Sequence, residues 1–355
     1  MTQSKNNAIQ GLRFWAIALI IASHCGFLAQ GGLGNCIFFA MSGFFVCQPF
    51  NDSDYEYSYF KPGTFFKYYI KRIIRIIPVA WICMAFAAWG LRVLDFRDYT
   101  TENSLVLNMF FIRSKGHLWF LQQEIFFYVC APFMLLAVGI LKKLLSPVIK
   151  KGAMNFVIFI ALTVCVFISY HYLPLTGFLL KGNGGAQVPM LWLFLIGMSF
   201  AYLLKILKAD MKASKLVAGL FNVVGSMFVV TCLILTIVTS EQILSGIDSK
   251  YVGYYVGWEH QLICAYIASA VLVVLCLLPE DSITKKCLGN RAFLLLGNAS
   301  FSMYLIHGFL LPFFAELSVY SQMVVIGGIS LSMALVVYKY IESPLMTKSR
   351  LLFKK

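Results

Sequence analysis

Residues 10–30 read QGLRFWAIALIIASHCGFLAQ, a run broken only by Arg13, Ser23, His24 and its end glutamines. A helix needs about 20 mostly apolar residues to cross the hydrocarbon of a bilayer, so this run alone points to a membrane span. Nine further stretches have the same character, near 33–50, 73–94, 117–140, 154–172, 188–206, 216–240, 254–278, 292–315 and 320–342. The stretch 104–112 is too short to span and reads as an interfacial piece. Of the 355 residues, 60% are hydrophobic and 12% charged, with a mean hydropathy of +0.80. A soluble domain carries about 25% charged residues. The expectation is therefore an all-α polytopic membrane protein of about ten transmembrane helices. One membrane domain is expected over 1–355, with no linker, internal repeat or soluble appendage.

Charge sets the expected orientation. With the N-terminus inside, the inner segments hold 22 of the 29 basic residues, in groups such as Lys61, Lys67, Lys71, Arg72 and Arg75, or Lys142, Lys143, Lys150 and Lys151. The outer segments hold six, namely Arg92, Arg97, Arg113, Lys115, Lys181 and Lys250. Lys and Arg concentrate on cytoplasmic loops, so both termini are expected in the cytoplasm. The net charge of +14 has the same origin and does not call for a nucleic-acid partner. Ten cysteines stand singly, without CxxC spacing, which argues against a disulfide framework or a metal site. The first apolar run is long, carries Arg13 and His24, and lacks a small-residue cleavage site, so it reads as a retained helix rather than a signal peptide.

An ionisable residue inside a span is costly, and it is a functional candidate by default. Arg13 and His24 are eleven residues apart, which returns to the same helix face about 16 Å further along the axis. A snorkelling arginine and a structural histidine account for this pair equally well when it is taken alone. Counting in from the outer surface places Ser42, Glu124, Tyr304 and His307 at a depth similar to that of His24. Tyr304 and His307, three residues apart, share one face. At the inner end, Arg72 and Arg75 are neighbours at i, i+3, and arginine forks suit phosphate, so with Arg13 they are candidates for a phosphorylated cytosolic ligand. Positive-inside anchoring explains the same cluster. Glu342 is expected at that end as an ion-pair partner.

The ordered set of motifs resembles the acyltransferase 3 family of integral membrane O-acyltransferases. It comprises Arg13-x10-His24, Gly34 to Phe44 (GNCIFFAMSGF), Arg72-x2-Arg75 with Pro78, His117-Leu118-Trp119-Phe120-Leu121 followed by Glu124, Ser302 to His307 (SMYLIH), and Ile341-Glu342-Ser343-Pro344. Asn35 and Cys36 stand where the family commonly has a longer Gly/Val-rich lead. The resemblance implies ten spans in the bacterial cytoplasmic membrane and acetyl-CoA or another acyl-CoA as donor, with no metal. The acceptor it implies is a hydroxyl of a cell-surface glycan or its lipid-linked precursor, in contact with membrane lipid. No SGNH-type domain is expected in this chain. By carry-over, His24 is the general base, Glu124 orients it, and Tyr304 or Ser42 stabilises the oxyanion. His307 joins that polar layer, and Arg13, Arg72 and Arg75 hold the CoA phosphates. An acyl-histidine route is equally open. Cys25 points about 100° away from His24 and is not favoured as a nucleophile. His117, His171 and His260 are expected to be structural or interfacial, and Trp119 to pack at the membrane interface. The rival from another class is a secondary transporter or lipid-linked glycan flippase, which would be indifferent to acyl-CoA.

Overall fold

The computed structural model describes residues 6–28, 31–47, 55–172, 190–211, 215–246 and 258–352. Lys5, Lys181, Lys212, Lys250, Lys354 and Lys355 of the charge count lie outside them, as does the side chain of His260. Every expected apolar stretch carries a helix. In chain order these are α1 (Asn7–His24), α2 (Gly31–Val46), α3 (Pro62–Trp89), the short α4 (Leu105–Met109), α5 (Trp119–Leu145) and α6 (Lys151–Tyr172). There follow α7 (Leu191–Met211), α8 (Lys215–Gly246), α9 (Trp258–Leu277), α10 (Ile283–Leu288), α11 (Arg291–Asn298), α12 (Ser300–Leu310), α13 (Val319–Val337) and α14 (Ser343–Leu352). A π-helical turn, Tyr338–Glu342, joins the last two. Among the described residues there is no β-strand.

Among the described residues, six stretches are long and apolar enough to cross a membrane: Pro62–Trp89, Gly116–Leu145, Ala153–His171, Leu191–Lys208, Gly219–Thr236 and Val319–Ser349. The broken pair 291–298 and 300–314 makes a seventh if counted as one span. Two further helices, Gly32–Val46 and Leu262–Leu277, are apolar but shorter. The protein is thus a multi-pass, all-α membrane protein, with six to seven helices among the described residues meeting both criteria, where the sequence suggests about ten. The third span differs most from expectation. Pro62 opens α3 in the first turn, where its missing N–H costs nothing, so the helix begins eleven residues before the expected 73. Arg72 consequently lies inside the helix rather than ahead of it, and Arg75 lies well within it.

The chain clusters into two compact units, each built from segments distant in sequence. The first holds residues 1–52, 145–167 and 192–298, and the second 53–144, 168–191 and 299–355. In the first unit, Gly26 adopts a left-handed φ of 76°. Its N–H bonds to the Ser23 carbonyl at 2.9 Å and that of Phe27 to the Ala22 carbonyl at 2.8 Å, the Schellman pair that closes a helix. Leu28 still bonds to Ala22, and three further steps, at most about 11 Å of chain, reach Gly31. Since Gly34 lies against Ala16 and Ile20, only an antiparallel α2 can make that connection. Gly43 meets the Phe194 backbone and Gly197 that of Ala40, so α2 and α7 are also antiparallel and approach closely through small residues.

In the second unit, Tyr69 of α3 donates its hydroxyl to the Val129 carbonyl of α5 at 2.8 Å, and Phe65 packs on Phe133 with ring centroids 5.7 Å apart. Lys142 and Glu56 form a buried ion pair at 2.8 Å. Ser302 of α12 donates to the buried carboxylate of Glu342 at 3.1 Å, tying α12 to the π-helical turn.

Candidate active site

The eight residues expected to carry function divide between the units. Arg13, His24 and Ser42 belong to the first, and Arg72, Arg75, Glu124, Tyr304 and His307 to the second.

In the first unit, the helix closure at Gly26 puts His24 in the last turn of α1, exposed, rather than mid-span. Arg13 is half-buried, three turns nearer the helix start. The antiparallel register carries Ser42 back towards the start of α1, so it sits roughly 20 Å along the axis from His24. The expected common layer of His24 and Ser42 is therefore corrected. Two groups so far apart cannot touch one tetrahedral centre, so Ser42 is not the oxyanion donor to a base at His24. Cys25 is buried at the helix cap.

In the second unit the loop before α5 builds the site. Lys115 donates to the Val93 carbonyl at 2.8 Å and to Asn103 at 2.7 Å, and its N–H reaches Asn108 Oδ1 at 2.8 Å. Burial pushes the Lys115 ammonium down from its ordinary pKa, while Glu102 opposes that shift. Gln122, in the first turn of α5, accepts from Ser114 at 3.1 Å and donates to the Phe111 carbonyl at 2.9 Å, stapling the loop to the helix. Gly116, at φ 48°, then opens a single 3-10 turn that delivers His117.

His117 is buried, and its Nε2 donates to the Leu305 carbonyl at 3.1 Å. The Tyr304 hydroxyl donates to the His117 backbone carbonyl. His307, fully buried, directs Nδ1 to the Tyr304 carbonyl at 2.7 Å. Ring centroids lie 5.1 Å apart for His117 and His307, 5.6 Å for His117 and Tyr304, and 5.2 Å for Phe120 and Tyr304. Glu124, half-buried, is within electrostatic range of Tyr304 and accepts from the Tyr128 hydroxyl at 2.7 Å. The Arg72 guanidinium rests over the Tyr128 ring at 4.3 Å and the Tyr68 ring at 5.4 Å.

The structure therefore brings together Glu124, Tyr304 and His307, and links Arg72 to them through Tyr128. His117, read from the sequence as structural or interfacial, is buried at the centre of the imidazole cluster. The signal was its spacing of seven from Glu124, two helical turns. Tyr128 had no sequence signal beyond its i+4 spacing from Glu124. Tyr304 has one hydroxyl proton, and that proton is given to His117, so here it braces the histidine rather than facing a reacting oxygen. Trp119 packs edge-on to Phe120 at 6.3 Å, and His171 is exposed beside Tyr170. Among the described residues, no three His, Cys, Asp or Glu side chains group as a metal site.

Helices of membrane length carrying buried imidazole and carboxylate groups and half-buried guanidinium groups define a multi-pass membrane protein with polar chemistry inside its helices. The family described as an acyltransferase domain matches residues 6–341. The chain belongs to the acyltransferase 3 family, and it is a membrane acyltransferase. No curated protein and no solved structure matches it.

Proposed function

We propose that the protein moves an acetyl or other short acyl group from cytosolic acyl-CoA to a hydroxyl of a cell-surface glycan or its lipid-linked precursor, in the cytoplasmic membrane of a bacterium. The observation that carries this reading is Arg72, a half-buried guanidinium inside a helix, over the Tyr128 ring at 4.3 Å and the Tyr68 ring at 5.4 Å. The planar N–H fork of a guanidinium is the part that matches phosphate bidentately. Coenzyme A is the acyl carrier that offers phosphates to such a fork. Arg75, one turn on, supplies further positive charge.

In this reading His24 takes the proton of the acceptor hydroxyl as that oxygen attacks the thioester carbonyl, and the CoA thiolate leaves. Glu124 is the carboxylate that steers the proton. Acetyl-CoA binding to the purified protein, in wild type, Arg72→Ala/Arg75→Ala and His24→Ala, tests it. Wild type and His24→Ala should bind, while the double arginine variant weakens by about tenfold or more, the scale of lost charge-assisted hydrogen bonds. A folded wild type that binds no short acyl-CoA would overturn the donor assignment and favour transport of a lipid-linked substrate.

A further inference from the structure

We propose that Tyr128 is the positioning residue that holds the donor-binding cation and the reaction's carboxylate in one register. The inference rests on Arg72 as a phosphate ligand. Tyr128 is buried on α5, and each of its two polar features is in use. Its ring face carries the Arg72 guanidinium at 4.3 Å, inside the range of about 6 Å over which a cation is drawn to an aromatic face. Its hydroxyl donates to Glu124 Oε1 at 2.7 Å, a short, charge-assisted bond. One side chain thus touches both a guanidinium and a carboxylate that do opposite jobs.

The arrangement is held from both helices. Tyr68, one turn before Arg72 on α3, covers the guanidinium at 5.4 Å. The Tyr69 hydroxyl, on the same turn, locks α3 to the Val129 carbonyl beside Tyr128 at 2.8 Å. A cation held over an aromatic ring keeps its place while its N–H groups bind phosphate. Glu124 then keeps its rotamer whether donor is bound or absent, since the hydroxyl that orients it belongs to a ring pinned by Arg72. A lysine at 72 would supply charge but not the planar fork.

The two functions of Tyr128 separate by substitution. Tyr128→Phe keeps the ring and removes the hydroxyl. Acetyl-CoA affinity should stay within about threefold of wild type, while turnover, read as CoA thiol released from acetyl-CoA by the full-length protein in native membranes, falls about tenfold. Tyr128→Leu removes both, so acetyl-CoA binding should weaken by about tenfold as well. Tyr128→Trp restores the aromatic platform and should recover binding but not turnover. Wild-type turnover in Tyr128→Phe, or wild-type binding in Tyr128→Leu, would overturn the inference while leaving the donor assignment intact. Failure of the wild type itself to bind or cleave acetyl-CoA would overturn both.

Discussion

The imidazole of His117 packs so closely on Gly308 that a Cβ at position 308 would overlap the ring. Glycine at 308 is what lets the 3-10 turn before α5 seat its histidine on α12, with Nε2 on the Leu305 carbonyl. Gly308→Ala should drive the ring out or part the two segments, at a cost of roughly 1–3 kcal/mol for overpacking. The purified variant should melt about 3 °C or more below wild type. Gly327→Ala on α13, where a Cβ meets nothing, should melt with the wild type. Equal melting of all three would show that the cluster adapts freely to a methyl group.

The partners of the two buried histidines fix where their protons sit. Carbonyl oxygens only accept, so His307 must carry a proton on Nδ1, which faces the carbonyls of Tyr304 at 2.7 Å and Met303 at 3.3 Å. His117 must carry one on Nε2. Two adjacent imidazoles thus present opposite nitrogens as their basic atoms when neutral. Nitrogen-15 spectra of histidine-labelled protein should show one Nδ1-protonated and one Nε2-protonated buried ring. Two rings of the same tautomer would contradict these hydrogen bonds.

Much of this architecture is legible in the sequence because lipid demands apolar helices, and each expected stretch carries a helix, six to seven of which, among the described residues, are long and apolar enough to span. Helix ends are less legible. Gly26 and Pro62 decide where α1 stops and α3 starts, through a left-handed turn and a first-turn proline, and an apolar count passes over both. These two residues move His24 to a helix end and Arg72 into a helix interior. Register between helices is not written in hydropathy at all. The antiparallel return at Gly34 separates Ser42 from His24, although both stand in polar positions of neighbouring apolar runs. His117 joins Tyr304 and His307 from nearly 190 residues away, a pairing that only tertiary packing reveals.

The loop that leads to His117 carries its own acid sensitivity. The Thr101 hydroxyl, the backbone N–H groups of Thr100 and Thr101, and the Thr100 hydroxyl all donate to Asp98, and they hold its carboxyl well below the usual carboxylate range. A depressed folded value means that the contribution is complete above the unfolded carboxylate pKa of about 4 and is lost as pH falls through the lower folded value. Amide exchange in residues 95–104, corrected for intrinsic rates, should therefore be unchanged between about pH 8 and pH 5. Asp98→Ala should raise it across that whole interval. Loosening of the wild-type loop already near pH 5 would mean that the threonines do not hold the carboxylate.

Glu56 and Lys142 make the most deeply buried ion pair described, at 2.8 Å with both side chains almost wholly out of solvent. The carbonyl of Glu56 also lies against Gly139, one turn before Lys142, so the segment ahead of α3 is pressed onto the last turns of α5. Removing one partner leaves a buried charge without its counterion, which costs about 3–5 kcal/mol, whereas replacing both with apolar groups of similar volume is often neutral. Lys142→Met should accordingly lower the melting temperature strongly, and Glu56→Leu should do so as well. The double variant Glu56→Leu/Lys142→Met should recover most of the loss, with a coupling energy above the roughly 0.5 kcal/mol found between independent sites. Neither residue is assigned to donor or acceptor, so acetyl-CoA affinity of the folded double variant should match wild type. Additive destabilisation would mean that the two charges do not depend on each other, and that the end of α5 is held by packing alone.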